Sequence, residues 1–225
     1  MLPSPAQFLS RVIQISWWLG AAALLFALFI KLTSELLEHE VAGLDRTILI
    51  GFAKARTPLL TMIAVDLTAL GSVTLVVLMS TVALCVLLVL KDRLAALQLV
   101  AASVGAGILT SAVKNYIDRR RPDEVTQLIQ VSGFSYPSGH SLTAAALYLT
   151  MAILVCRHLQ RAGHQIAILT ITVAIILLVG ASRIYLGVHY PSDVASGISL
   201  GMAWALLLAG VFSLILVPKV TRREQ

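Results

Sequence analysis

Charge is scarce in this sequence, and negative charge scarcest: only 12% of its 225 residues are Asp, Glu, Lys or Arg, 11 of them acidic and 17 basic. A soluble domain carries about a quarter charged residues, so a water-exposed globule is excluded. Cysteine is almost missing. Cys85 and Cys156 both lie in apolar runs, where a thiol behaves as a small hydrophobe, which leaves no disulfide or zinc framework. Aromatics make up only 6%, and the basic excess of +6 borders apolar runs instead of alternating with aromatics on a polar face. Nucleic-acid binding is therefore not indicated. Internal repeats and low-complexity segments are also lacking. What the chain has is grease, 58% of its residues being hydrophobic. The expectation is an all-α polytopic membrane bundle forming one domain over residues 1–225.

Uncharged runs of the length needed to cross the roughly 30 Å hydrocarbon core predict six spans, at residues 12–30, 72–90, 94–113, 138–156, 165–182 and 194–217. Arg11 precedes the first run as in a signal peptide, but the run is long and no small-residue cleavage pattern follows Lys31, so it reads as a span. Between the first two spans, residues 34–70 are amphipathic. Leu37, Val41, Leu44, Ile48 and Phe52 form one helical stripe, and Leu59, Ile63, Leu67 and Leu70 a second after Pro58. Glu35, Glu38, Glu40, Asp45, Lys54 and Arg56 line the polar sides. Such helices suit the membrane interface; alternatively, 58–70 begins a long tilted span with Asp66 tucked into the bundle. Gly197 and Gly201 make a small-xxx-small pair, a pattern too common to carry weight alone.

Three polar clusters interrupt the grease: Lys114 with Arg121-Pro122, Pro137-Ser138-Gly139-His140, and Ser182-Arg183 with His189 and Asp193. Six alternating spans put all three on one face. The opposite face carries eight basic residues, Arg11, Lys91, Arg93, Arg157, Arg161, Lys219, Arg222 and Arg223. The cluster face holds nine, but Lys114, Arg119, Arg120, Arg121 and Arg183 lie in or beside the clusters, which leaves four for comparison. The positive-inside rule then predicts a cytoplasmic opposite face and an external cluster face, periplasmic in a cell with two membranes.

A lysine and two arginines suit a phosphate dianion, since guanidinium forks bind its oxygens in pairs. Ser138 and Gly139 precede a helix and can turn hydroxyl and N–H groups toward the same anion. Asp193 follows His189 by four residues with Pro191 suited to the first helical turn between them, so its carboxylate can reach one ring nitrogen and leave the other free to attack. His140, on another helix, is available as general acid. His158 and His164 read as interfacial side chains, and Asp118, Asp123 and Glu124 as solvated loop charges. Arg119 and Arg120 read either as steering groups for anionic lipid or as headgroup contacts. Tyr136 and Tyr190 belong either to an interfacial aromatic belt or to the pocket border. Ser182 positions Arg183 or caps its helix.

Together the three motifs resemble the signature of the type 2 phosphatidic acid phosphatase family, which shares its site with vanadium haloperoxidases. Every signature position matches, over Lys114 to Asp193, and the six-span layout is similar to the membrane branch. The resemblance implies that His189 forms a phosphohistidine, Asp193 orients it and His140 protonates the leaving group. It further implies that Lys114, Arg121, Ser138, Gly139 and Arg183 hold the phosphoryl oxygens, without metal or cofactor.

The leading expectation is a lipid phosphate phosphatase of a bacterial inner membrane, acting at the external leaflet on phosphatidylglycerol phosphate, phosphatidic acid or undecaprenyl diphosphate. Residues 34–70 would border the lipid's entry route. A lipid phosphotransferase, acting for example on lipid A, and a non-catalytic anion-binding or transport protein are the alternatives. A soluble vanadate-dependent peroxidase is disfavoured by the composition.

Overall fold

The computed structural model describes the backbone of residues 5–222 and the side chains of residues 12–215. Eight helices follow one another: α1 (Pro5–Leu37), α2 (Ala42–Lys54), α3 (Pro58–Ala69), α4 (Val73–Val89), α5 (Arg93–Tyr116), α6 (Gly139–Cys156), α7 (Ala162–Tyr185) and α8 (Pro191–Arg222). Among the described residues there is no strand, in agreement with the all-α expectation.

Five stretches are each long and apolar enough to cross a bilayer: Val12–Leu37 of α1, all of α5, α6 and α7, and Pro191–Ile215 of α8. The sixth crossing differs from its expected form. Helix α4 has only 17 residues, about 26 Å at 1.5 Å per residue, and reaches crossing length only together with α3, across a bend of 47°. The chain is thus an integral membrane protein with five spans, or six if the bent pair is counted as one.

Polar residues cap the starts of three of these helices. Thr57 accepts from the Leu60 N–H and precedes Pro58, Ser72 accepts from the Leu75 N–H, and Asp92 accepts from the Ala95 N–H. Each satisfies a donor that hydrocarbon would leave unpaired. Hydroxyls deeper in the spans turn back on their own helix, Thr81 to the Val77 carbonyl and Thr110 to that of Ala106.

The centre of the bundle is α6, which packs against α4, α5, α7 and α8, while α1 lies along α8 and α3 along α7. Small residues make this possible. Ala144, Ala145, Ala146 and Ala152 are buried among Leu142, Leu147 and Leu149. The glycine pair on α8 proves to be the facing surface: a Cβ on Gly197 would stand 2.6 Å from the Ser138 carbonyl oxygen, and one on Gly201 2.9 Å from Ala145 Cβ. Close backbone approach of this kind supplies the dispersion contacts that hold membrane helices together.

The region 34–70 departs from expectation in its facing. On α2 the buried residues are Asp45 and Leu49, whereas Leu44 of the expected stripe is exposed. On α3 the buried residues are Ala64 and Thr68, and Leu59 and Ile63 point outward. Asp66 is exposed and not tucked into the bundle. With apolar side chains around most of each helix, periodicity alone does not choose the inner face. The choice falls to short side chains and to the polar partners waiting on α7 and α8.

The α6–α8 contact is testable. Gly201→Val should cost about 1–3 kcal/mol through overpacking, seen as a lower thermal midpoint in detergent. Gly163→Ala, where a Cβ meets no atom within 4 Å, should leave the midpoint unchanged. Equal midpoints for both variants would mean the helices do not approach this closely.

Candidate active site

The site is assembled at one end of the bundle, from the C-terminal ends of α5 and α7, the N-terminal ends of α6 and α8, and the loops joining them. Helix α7 stops in a Schellman turn. The Gly187 N–H bonds to the Ile184 carbonyl (2.9 Å) and the Val188 N–H to the Arg183 carbonyl (3.3 Å), with Gly187 at φ +77°. A side chain at 187 would also meet Arg56 Nη2 at 2.7 Å, so glycine is required twice over. This turn carries the chain from Arg183, in the last turn of α7, to His189.

Helix α8 then begins at Pro191, and Asp193 in its first turn accepts from the backbone N–H of Tyr190 through Oδ2 (2.8 Å). That is a capping-box contact. The same carboxylate oxygen lies 3.4 Å from His189 Nδ1, within ion-pair distance but outside the geometry of a hydrogen bond. The His189 Nε2 atom lies 3.3 Å from Arg121 Nη1. A guanidinium only donates, so this contact assigns the lone pair to Nε2 and the hydrogen to Nδ1, on the Asp193 side. Burial, opposed by Asp193 and reinforced by Arg183 and Arg121, pulls the His189 pKa down to about 4. The imidazole is therefore neutral at pH 7.

The other expected residues gather around it. Arg121 spans the loops, donating to the carbonyls of Ser132, Gly133 and Val188. Lys114 Nζ reaches the Phe134 carbonyl at 2.5 Å. Arg183, only 2% exposed, donates to Thr68 Oγ1 at 2.8 Å, and its Nε has no partner among the described residues. Ser138 is fully buried, and its N–H bonds to the Asp193 carbonyl (2.9 Å), which joins the starts of α6 and α8. Its hydroxyl accepts from Ser141 Oγ and caps none of the first-turn N–H groups of α6. Gly139 abuts Thr110, and His140 is half-buried within electrostatic reach of Arg183, His189, Arg121 and Lys114. All eight expected residues thus stand at one end of the bundle, and the three motifs do share a face.

Some residues take places other than those expected. Arg119 is no headgroup contact: it bridges Asp193 (Nη1 to Oδ1, 2.6 Å) and Asp45 (Nη2 to Oδ2, 2.7 Å). Asp45, expected on a polar face, is 2% exposed. Thr68 and Gly71 were not singled out by sequence at all, and Arg56 was expected only on a polar face. Gly71 presses on His140, leaving no room for a Cβ (2.9 Å from His140 Cβ), and Arg56 ties the Tyr185 and Thr126 carbonyls together. The only sequence signal for Asp45 was its phase, one turn before Leu49 and two before Phe52. Tyr136 is fully buried and bonds to Thr33 and Ser196. Tyr190 donates to Glu124 and lies under the Arg119 guanidinium, 4.1 Å from ring centroid to Cζ. Ser182 donates to the Val179 carbonyl of its own helix (2.6 Å).

Fold and site together define a helical membrane protein with an anion-ready cluster of cations and histidines at one bundle end. A family model for the PAP2 superfamily matches residues 95–215, more than half the chain. The protein belongs to the PAP2 superfamily. It is similar to phosphatidylglycerophosphatase B of Bacillus subtilis (strain 168), 41% identical over 104 residues that cover 46% of this chain and 51% of the relative. A lipid A 1-phosphatase of Rhizobium johnstonii is 34% identical over 119 residues, 49% of this chain and 45% of the relative. The chain spans about half the length of these relatives. Among solved structures, the transmembrane PAP2-type phosphatidylglycerolphosphate phosphatase of Bacillus subtilis superposes with a TM-score of 0.80 at 28% identity. That match covers 91% of this chain and 98% of the other.

The depressed basicity of His189 can be read directly. In a pH titration of ¹⁵N-histidine-labelled protein, the His189 signal, assigned by its loss in His189→Ala, should remain neutral at pH 6 and titrate near 4. A midpoint at or above 6.5, the ordinary histidine value, would contradict the buried and cation-flanked setting.

Proposed function

We propose that the protein is a metal-independent lipid phosphate or diphosphate phosphatase working through a phosphohistidine on His189. The observation that carries this reading is His189 itself: buried, neutral, backed at Nδ1 by Asp193, and presenting Nε2 to Arg121 with Arg183 in electrostatic reach. In the proposed scheme Nε2 attacks the phosphorus and a N–P bond forms as the P–O bond to the lipid breaks. His140 gives the leaving oxygen its proton. Water then attacks the phosphohistidine, its proton passes to His140, and the N–P bond breaks to release phosphate. The three cations, the Ser138 hydroxyl and the N–H groups opening α6 hold the phosphoryl oxygens as charge builds on them. Every step uses groups of the chain and one water.

An apolar groove supports a lipid as the bearer of the phosphate. It has a volume of about 780 Å³ and runs between α4 and α5, past Val77, Val104, Ile108 and Ser111 to Thr143, one turn beyond His140. Val77, Val104 and Ile108 are more than half exposed, so the groove opens sideways, where acyl chains would lie. On this reading the apolar path follows α4 and α5, with the region 34–70 remaining a proposed border of the entry route. Names of the relatives point to phospholipid and lipid A monophosphates, so phosphatidylglycerol phosphate and phosphatidic acid are the leading substrates, with undecaprenyl diphosphate next. The charge distribution supports an external, periplasmic site in a bacterial inner membrane.

Detergent-purified protein in excess chelator should release phosphate from at least one of these lipids, and His189→Ala should lower the rate by at least about 10³-fold. A His189→Ala variant keeping a tenth of the activity would remove the nucleophile. Silence of the wild type on phosphatidylglycerol phosphate, phosphatidic acid, undecaprenyl diphosphate and lipid A, with no phosphoenzyme trapped, would remove the enzyme. For the placement, single cysteines at Glu124 and Arg161 are introduced after Cys85 and Cys156 are replaced. An impermeant reagent on intact cells should label position 124 and spare 161, and the opposite pattern would put the site inside.

A further inference from the structure

Asp45 takes no part in the scheme above, yet it is the most buried charge outside the three motifs and touches two residues of the site. Its Oδ2 accepts from Arg119 Nη2 (2.7 Å) and from Ser192 Oγ (2.5 Å), and its Oδ1 accepts from the Ser192 backbone N–H (2.9 Å). Arg119 Nη1 in turn donates to Asp193 Oδ1 (2.6 Å) and Ser192 Oγ (2.7 Å), and the Tyr190 ring closes over the guanidinium. A continuous chain therefore leads from α2 through Arg119 to Asp193 and the Nδ1 edge of His189. We propose that Asp45, acting through Arg119, is a positioning residue that keeps Asp193 negatively charged toward His189 and fixes the orientation of its carboxylate.

The argument is one of charge and shape, and it rests on the phosphohistidine reading given above. Asp193 is fully buried and needs a cation to be tolerated there. Arg119 alone would supply it, and would at the same time cancel the negative charge that His189 requires when its ring turns cationic on phosphoryl transfer. A second carboxylate on the far side of the guanidinium restores the balance. Two carboxylates against one guanidinium leave a single net negative charge, lying beside Nδ1, while Arg121 and Arg183 stand as cations near the ring. Shape reinforces charge. The planar fork of Arg119 spans both carboxylates at once, so anchoring one end on Asp45 sets the position of the other. The two Ser192 contacts to Asp45 tie the first turn of α8, and Asp193 with it, to the same anchor.

The test uses the full-length protein in detergent, with Asp45→Asn, Asp193→Asn and the double variant assayed on the lipid the wild type hydrolyses. Asp45→Asn keeps the shape and removes the charge, and should lower kcat by about 10- to 100-fold with KM within about twofold of wild type. The double variant should be no more than about threefold worse than Asp193→Asn alone, because both act through one carboxylate. Losses that multiply, or a rise in KM without a fall in kcat, would overturn the proposal. Should Asp45→Asn fail to fold, Asp45→Glu decides: it keeps the charge and should retain most of kcat, and total loss there would also overturn it. The ¹⁵N signals of His189 report independently of turnover. Wild type should show the hydrogen on Nδ1, and Asp45→Asn should shift the Nδ1 signal and mix the tautomers. Unchanged His189 signals would overturn the positioning role, whereas an inactive wild type with the shift intact would overturn only the phosphatase reading.

Discussion

A carboxylate without any exposed surface, on a protein whose surroundings are mostly hydrocarbon, must be neutralised by its own chain. Asp193 is that carboxylate, and much of the site's architecture answers to it. Its two oxygens meet Arg119, the Tyr190 N–H and the His189 ring, and the backbone carbonyl of the same residue holds the start of α6 through Ser138. Because Arg119 belongs to the α5–α6 loop and Asp45 to α2, one buried charge gathers five separate parts of the chain. The site is thereby fixed by electrostatics at a bundle end.

The hydrophobic part of the structure is organised differently, around the thinness of α6. Its alanines and the glycines of α8 let backbones approach, so helix ends belonging to distant parts of the sequence arrive within reach of one another. Rigid packing below and paired charges above divide the task. The apolar groove between α4 and α5 reaches α6 at Thr143, one turn from His140. A lipid reading therefore draws on the packing as much as on the cations.

Much of this was legible in the sequence. Uncharged runs marked the crossings, because few charged residues are tolerated in hydrocarbon, and the three motifs stood out as polar islands whose topology put them on one face. Less legible was the crossing that α3 and α4 share, since a 47° bend between two capped helices leaves the same composition as a straight span preceded by an interfacial helix. Asp45 and Arg119 were hidden for another reason. Asp45 is one of eight charged residues in the amphipathic region 34–70, and Arg119 is one of three consecutive arginines. Which of them faces inward depends on partners some 74 residues away, and local pattern carries no information about such pairings. Thr68 and Gly71 were hidden because short side chains announce themselves only through the neighbours they admit.

The turn that ends α7 gives the last motif a property of its own. Arg183 belongs to the helix, Gly187 reverses the chain, and His189 emerges two residues later, one before the residue that caps α8. The two residues flanking His189 are held from either side, Val188 by the Arg183 carbonyl and Tyr190 by the Asp193 carboxylate. An inserted or deleted residue would break the Val188 to Arg183 bond or the Asp193 to Tyr190 bond, and would turn the imidazole away from both the carboxylate behind it and the guanidinium before it. The interval between Arg183 and Asp193 is therefore a length standard. Side chains within it can be exchanged where space allows, but its residue count cannot change without dismantling the site.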